Sequence, residues 1–248
     1  ALFVHEDMTL AEAQRHRLDV ICRKLELCPD DHLLEIGTGW GGLAIHAAQN
    51  FGCRVTTTTI SREQYELAWE RIAEAGLQDR VTLLLEDYRD LEGQYDKLVS
   101  IEMIEAIGED QFDTYFAQCA ALLKPGGRLL IQAITIADAY YAEYRKNVDF
   151  IQRYIFPGGF LPSLSAMTGS IARSTNLLVN GVEDLGLHYA RTLKIWRRNF
   201  FEKIEEVQAL GYPEEFIRMW EYYLTYCEGG FLERSISNVH VEAEKPAY

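Results

Sequence analysis

The sequence is short of basic residues: 24 Lys and Arg face 38 Asp and Glu, for a net charge of −14. Nucleic-acid affinity comes largely from neutralising phosphates, so no nucleic-acid partner is expected, and bulk attraction to an anionic membrane is disfavoured. One local cluster runs the other way. Arg191, Lys194, Arg197 and Arg198 fall near one another on an expected helix, as either a solvated face or a phosphate-facing one. Long apolar runs are absent too. "GRLLIQAITIA" is interrupted by polar residues well short of the roughly 20 needed to span a bilayer, and nothing at the N-terminus resembles a signal peptide. The five cysteines are odd in number and lack C-x-x-C spacing, which suggests neither a disulfide framework nor a zinc site. Reduced, mostly buried thiols, no metal and a cytoplasmic location are therefore expected. The chain opens at Ala1 within "ALFVHEDMTLAEAQ", without an initiating Met, and an upstream segment is expected.

What is present is a large apolar fraction, 48% of 248 residues, enough for one α/β domain with insertions. "TLAEAQRHRLDVICRKLEL" carries Thr9 as an N-cap, Glu12 three residues on, and Leu18, Ile21, Cys22 and Leu25 at helical spacing. Strand-like "HLLEIG", "CRVTTTTI", "VTLLLED", "YDKLVSIEM" and "GRLLIQAITI" then alternate with helix-like segments. Near-continuous apolar strands in that rhythm predict a doubly wound, mostly parallel sheet covered on both faces. "KPGG" at 124–127 reads as a turn. From Asp138 to about Asp184 the rhythm stops in favour of an aromatic-rich helical insertion, followed by helices around Leu187–Leu210 and Pro213–Gly229 and a closing strand "SISNVHVEA".

"LLEIGTGWGGLA", Leu33 to Ala44, is a buried strand running into a glycine turn and a helix. Gly37, Gly39 and Gly42 fit the spacing of a dinucleotide site, whereas Glu35 with Gly37, Gly39 and Gly41 fits the opening of an S-adenosylmethionine (SAM) site. Glycines there let a ligand approach the backbone and its amides. A dinucleotide site also asks for an acid at the end of the second strand, and "TTTTIS" has none. A SAM site asks for an acid toward the amino acid portion, which Glu35 supplies. It asks for ribose-binding groups, for which Thr59, Ser61 and Gln64 are candidates, and for a polar end beside an apolar adenine slot, supplied by Glu86, Asp87 and Tyr88. Ser61 and Gln64 also read as a capping box, a role compatible with the first. Together these residues favour SAM over a nicotinamide cofactor.

The segments "EIGTGWGGLAIHAA", "TTTISREQ", "LEDYRDLEGQYDKLVSIEMIEAIG", "YFAQCAALLKPGGRLLIQAITI", "YIFPGGFLPS", "HYARTLKIWRRNF" and "YYLTYCEGGF" closely resemble the cyclopropane fatty acid synthase family of SAM-dependent methyltransferases. The resemblance covers nearly the whole chain and implies one methyltransferase domain over 1–248 with a lipid-binding insertion near 138–184. It implies methyl transfer to the cis double bond of an unsaturated acyl chain in a phospholipid, giving a cyclopropane or, in relatives, a methylene or methyl branch. Transient membrane-surface contact and a homodimer go with it.

The resemblance further implies a bound bicarbonate or carbonate that takes the released proton. Carried over by motif, its ligands are Glu105, Tyr189, the backbone amide of Ile134 and, at the place of a histidine, Gln132; the family's cysteine or serine falls immediately before Ala1. Two departures stand out: Ala106 where histidine is common, and Gln132, which donates a hydrogen bond but takes up no proton near neutral pH. Glu102 replaces a small residue and is either a new negative charge near the anion site or a SAM-facing loop acid; it is counted with the SAM-binding residues. An alkene is a weak nucleophile, so catalysis is largely positioning. Tyr140, Tyr141, Tyr144, Phe150, Tyr154, Phe156 and Phe160 either line a dry slot whose ring faces stabilise positive charge or simply pack the core. The other readings are a non-catalytic SAM-binding lipid protein, a small-molecule methyltransferase and, last, an NAD oxidoreductase.

Overall fold

The computed structural model describes all 248 residues. Thr9 caps the first helix reciprocally: the Glu12 carboxylate accepts from the Thr9 amide at 2.9 Å while the Thr9 hydroxyl oxygen accepts from the Glu12 amide at 3.3 Å. That helix, α1 (Leu10–Lys24), leads into β1 (His32–Ile36), α2 (Gly42–Phe51), β2 (Arg54–Thr58), α3 (Arg62–Glu74), β3 (Val81–Leu84) and β4 (Tyr95–Ile101). Next come α4 (Phe112–Leu122), β5 (Leu123–Ile136), α5 (Asp138–Tyr144), α6 (Phe150–Tyr154) and α7 (Leu164–Ser174). The chain closes with β6 (Leu178–Asp184), α8 (Gly186–Glu202), α9 (Ile204–Ala209), α10 (Glu214–Leu232) and β7 (Ile236–Glu244).

The seven strands form one sheet in the order β3-β2-β1-β4-β5-β7-β6. The first five strands run parallel, while β7 is antiparallel to both β5 and β6. Alternation along the central strands divides the core between the two faces. Leu34, Leu98 and Ile131 join Phe116 and Met167 on one face; Leu33, Val99 and Leu130 join Ile21, Ala47 and Ile72 on the other. A parallel sheet covered on both faces has to read as near-continuous apolar strands, and that pattern is what the sequence carries. No helix is long and apolar enough to cross a membrane.

Three expectations change in detail. The helical insertion ends earlier than 184, because residues Leu178–Asp184 form edge strand β6. As an edge it is mostly solvated, so "LVNGVED" lacks the alternation of a half-buried strand. The expected helix over 187–210 breaks at Lys203 (φ −112°, ψ 18°) into α8 and α9. "KPGG" lies within β5 as an irregularity: Tyr95 pairs with Leu123 but Lys97 with Arg128, and Gly126 has φ +76°. The extra residues bulge out of the ladder, which produces the turn-like composition.

Leu98 is fully buried at the centre of β4. Leu98→Ala is expected to destabilise the chain by about 2–5 kcal/mol, from lost transfer energy plus the cavity left behind, as read by chemical denaturation; a loss under about 1 kcal/mol would mean that the central strands do not carry the core.

Candidate active site

The carboxyl ends of β1, β2, β4 and β5 meet along one rim, where ligands bind in open parallel sheets. At the β1 end, Gly37, Gly39 and Gly41 have φ +100°, +52° and +81°, whereas Gly42 is an ordinary first residue of α2. The left-handed positions therefore fall on the Glu35–Gly37–Gly39–Gly41 spacing, and such backbone favours glycine. The Gly37 and Thr38 amides tie the turn to the Thr58 carbonyl at 3.1 and 2.9 Å. A side chain at Gly39 would project into space with no atom within 4 Å, so the cradle is open on the side a ligand approaches.

Glu35 lies buried beneath that turn. Its carboxyl accepts from the Thr57 hydroxyl at 2.6 Å, and Thr57 and Thr38 share a hydroxyl contact of 2.7 Å. Burial pushes Glu35 up to about 8, against the lowering effects of the Thr57 bond and nearby Arg17. Thr59, Ser61 and Gln64 form a local knot. The Ser61 oxygen caps α3 by accepting from the Gln64 amide at 3.2 Å, and the Thr59 hydroxyl donates to the Gln64 side chain at 2.8 Å. The capping box is thus half formed: the Ser61 amide donates to Thr59 instead of to Gln64. Asp87 caps the short helical turn Tyr88–Asp90, and both its oxygens are engaged by Arg89. Tyr88 is buried against Tyr115, and Glu86 is exposed. Ile60 (77% exposed) and Leu85 (43% exposed) present unpartnered apolar side chains at the adjacent ends of β2 and β3.

The second half of the rim is a cluster of carboxyl groups. Glu102, directly after β4, has φ +51°, a left-handed conformation that costs a non-glycine residue roughly 1 kcal/mol. Its Oε1 accepts from Gln132 Nε2 at 2.6 Å and Asn238 Nδ2 at 3.0 Å, and its Oε2 from the Tyr189 hydroxyl at 2.9 Å. Three donors facing two oxygens are the hydrogen-bond complement of a carboxylate. This contact fixes the Gln132 amide, whose oxygen accepts from Arg17 at 3.0 Å and pairs with His240 Nε2 at 3.1 Å. His240 therefore carries its proton on Nε2, and burial lowers it to about 3, so it is neutral near pH 7.

Glu105 sits one short turn further on. Its Oε1 accepts from the Ile134 amide, and its buried Oε2 has no partner. Burial first, then the neighbouring Glu102, push its carboxyl up to about 8, so it holds a proton near pH 7. Tyr189 stacks on Phe231 with ring centroids 4.6 Å apart, and burial together with Glu102 holds its hydroxyl well above the ordinary range as a phenol donor.

The structure brings Glu105, Tyr189, Gln132 and the Ile134 amide together, with Glu102 among them rather than beside the glycine turn alone. Ala106 is exposed and outside the network. Sequence reading missed Arg17, Asn238 and His240. Arg17 lies between Ala13 and Ile21, one helical turn from each, and both are fully buried; a cation in that stripe was the available signal. Asn238 and His240 alternate with buried valines in a strand buried on both faces.

The aromatic insertion divides. Tyr141 and Tyr144 pack on Phe160, while Phe150 meets Tyr222 of α10 at 4.7 Å. Tyr140, Tyr154 and Phe156 are more than half exposed. Of the basic cluster, Arg191 binds the His5 and Glu6 carbonyls and covers Phe3, while Arg197 pairs with Glu228 at 3.0 Å.

A family model described as "Mycolic acid cyclopropane synthetase" matches residues 1–241. The tuberculostearic acid methyltransferase UfaA1 of Mycobacterium tuberculosis is 45% identical over 90% of this chain and 52% of its own length. The cyclopropane-fatty-acyl-phospholipid synthase of Escherichia coli K12 is 41% identical over 92% of this chain and 56% of its own length. The chain thus spans about half the length of these curated relatives. Among solved structures, the mycolic acid cyclopropane synthase CmaA1 complexed with SAH and CTAB superposes with a TM-score of 0.90 at 29% identity, over 99% of this chain and 88% of that one.

Two outcomes are expected from this geometry. Gly39→Val places a side chain in the open cradle at a φ hostile to branched residues, so SAM binding by calorimetry should fall at least about tenfold, equivalent to about 1.4 kcal/mol; undiminished affinity would remove the turn from the ligand site. Glu35 and Glu105 rise in the folded state from an ordinary 4.5 to about 8. The folded chain therefore binds more protons than the unfolded one between those values, and its stability falls as pH rises through that window. The melting temperature of ligand-free protein should drop from pH 6 to pH 8, with a shallower slope in Glu105→Gln; equal slopes would contradict a proton on Glu105.

Proposed function

The chain belongs to the mycolic acid cyclopropane synthetase family, and on that premise we propose that it is a SAM-dependent C-methyltransferase acting on the cis double bond of unsaturated fatty acyl chains, most directly those of phospholipids. The observation that carries this reading is the joining, on one rim, of the Glu35–Gly41 cradle to a buried carboxyl cluster whose donors are Gln132, Tyr189 and Asn238. The open space over Gly39, with buried Glu35 beneath it, fits the backbone and ammonium ends of SAM. In this reading the whole chain is one methyltransferase domain, and the helical insertion between β5 and β6 contacts lipid.

When bound, SAM supplies an electrophilic methyl group. Glu35 faces the amino acid portion, the knot at Thr59, Ser61 and Gln64 stiffens the ribose side, and Ile60 and Leu85 offer an apolar wall to adenine beside Glu86, Asp87 and Tyr88. The acyl chain and SAM give an acyl chain carrying one more carbon as a ring or a methylene branch, S-adenosylhomocysteine and one proton; a methyl branch further requires hydride from a separate reductant. Tyr189, backed by Phe231, and the rings around Phe160 exclude water from the cationic chain carbon. Exposed Tyr140, Tyr154 and Phe156 suit transient contact with a membrane surface, and a cytoplasmic location peripheral to the membrane is part of the same proposal. A homodimer is part of the same proposal and is read by light scattering.

Family membership favours a cyclopropane product. Gln132 in place of a histidine favours a second reading, a methylene- or methyl-branched product, as does similarity to a relative named for tuberculostearic acid. The bicarbonate implied by the resemblance fits this chain poorly, because the Gln132, Ile134 and Tyr189 donors are already satisfied by Glu102 and Glu105.

The test is mass spectrometry of monounsaturated phospholipid incubated with the protein and methyl-deuterated SAM. Lipid gaining one carbon with two retained deuteriums is the expected result. Oxidative cleavage then separates ring from methylene, and a ring made with Gln132 in place removes the second reading. No labelled lipid, with SAM binding intact, would overturn the function.

A further inference from the structure

The anion set implied for this rim offers three donors on the chain: Gln132 Nε2, the Ile134 amide and the Tyr189 hydroxyl. Each already donates to a carboxyl group of the protein, the first and third to Glu102 and the second to Glu105. An incoming bicarbonate would have to displace these bonds beside a carboxylate that repels it. We propose that the Glu102 carboxylate fills the place of that ion and itself takes the proton released after methyl transfer, so that the chain works without bicarbonate; this rests on the methyltransferase reading above.

Four features argue for it. Glu102 keeps a left-handed backbone, φ +51°, where glycine is the unstrained residue, and strain of this kind persists where a side chain is needed. Its Oε1 is saturated by Gln132 and Asn238, whereas Oε2 receives only the Tyr189 hydroxyl and retains a lone pair able to accept a proton. Arg17, packed behind Gln132, supplies the balancing positive charge. Finally, Glu102 precedes Met103, whose side chain lies 3.4 Å from the position a side chain would take at Gly37, so the segment that carries the carboxylate packs against the cradle.

The step balances within the chain and its substrate. A C–H bond of the methylated cation breaks, its electron pair closes either the ring bond or a new double bond, and the proton passes to Glu102 Oε2. Glu102 is only partly buried, so the proton then leaves to solvent. Gln132 and neutral His240 hold the carboxylate without exchanging a proton themselves.

The experiment compares the native chain with Glu102→Gly, which suits the backbone and removes the carboxylate. Methyl transfer to monounsaturated phospholipid is measured in carbon-dioxide-free buffer with and without bicarbonate, SAM affinity by calorimetry, and anion binding by line broadening of 13C-labelled bicarbonate. The native chain should turn over equally with or without bicarbonate and broaden no signal. Glu102→Gly should keep SAM affinity, lose about 100-fold in turnover, as for a general base, regain turnover with bicarbonate, and broaden the signal. A native chain that needs or binds bicarbonate would overturn the proposal, as would native-like turnover of Glu102→Gly without it. A native chain inactive under both conditions would remove the methyltransferase reading and the proton step with it, while the binding measurement would still decide which anion the rim holds.

Discussion

Charge balance along one rim governs this molecule. Glu35, Glu102 and Glu105 converge where the parallel strands end, and Arg17 is the side-chain cation that faces the first two. A buried charge is tolerable only when paired and hydrogen-bonded. Glu102, partly buried, accepts from Gln132, Asn238 and Tyr189 and lies in the field of Arg17. Glu105 has one backbone donor and a carboxylate neighbour, so it is neutral near pH 7. Glu35 is buried with one hydroxyl donor, so it too waits protonated until a cation arrives. Glu35 and Glu105 are pushed up by their surroundings, not by any difference in chemistry. The helix that carries Arg17 therefore does more than cover the sheet: its docking brings a cation to the acids of the rim.

The fold was legible in the sequence because its strands are buried on two faces and its glycines sit where left-handed backbone is unavoidable. Glu35 and the Gly37–Gly39–Gly41 turn could be read for the same reason: they are local, and spacing alone defines them. Glu105, Tyr189, Gln132 and Ile134 came through resemblance, since residues far apart in sequence meet only in the folded chain. Glu102 was visible as a new negative charge near the site, but its partners were not. Its partner Asn238 is 136 positions away, and only the register of β7 against β5, with Gln132 opposite His240 and Ile134 opposite Asn238, brings in Asn238 for Glu102 and His240 for Gln132. Arg17 escaped because a charge in an amphipathic helix is ordinarily assigned to its wet face. The edge strand over 178–184 escaped because solvated edges lack periodicity.

The aromatic insertion is tied to the acid cluster by main-chain geometry. The Phe160 amide donates to the Glu105 carbonyl at 2.8 Å, next to the Ile134–Glu105 contact. Phe160 in turn carries Tyr141 and Tyr144. The aromatic insertion and the acid cluster are thus parts of one hydrogen-bonded unit, and the precision a site there needs comes from rigid support of this kind.

The sheet order has a consequence for how the chain assembles. β7 is the final strand in sequence yet lies between β5 and β6, and the polypeptide leaves the ribosome from its amino end. The cradle at residues 35–41 can be complete while β6 still has no sheet to join and Glu102 still lacks Asn238. Nine residues, Ile236–Glu244, act as the closing zip, inserting between two earlier segments and delivering the last donors together. The hydrogen bonds of Glu102 are therefore completed only when the last strand is in place, and Val239, Val241 and Ala243 of that strand close the core in the same step.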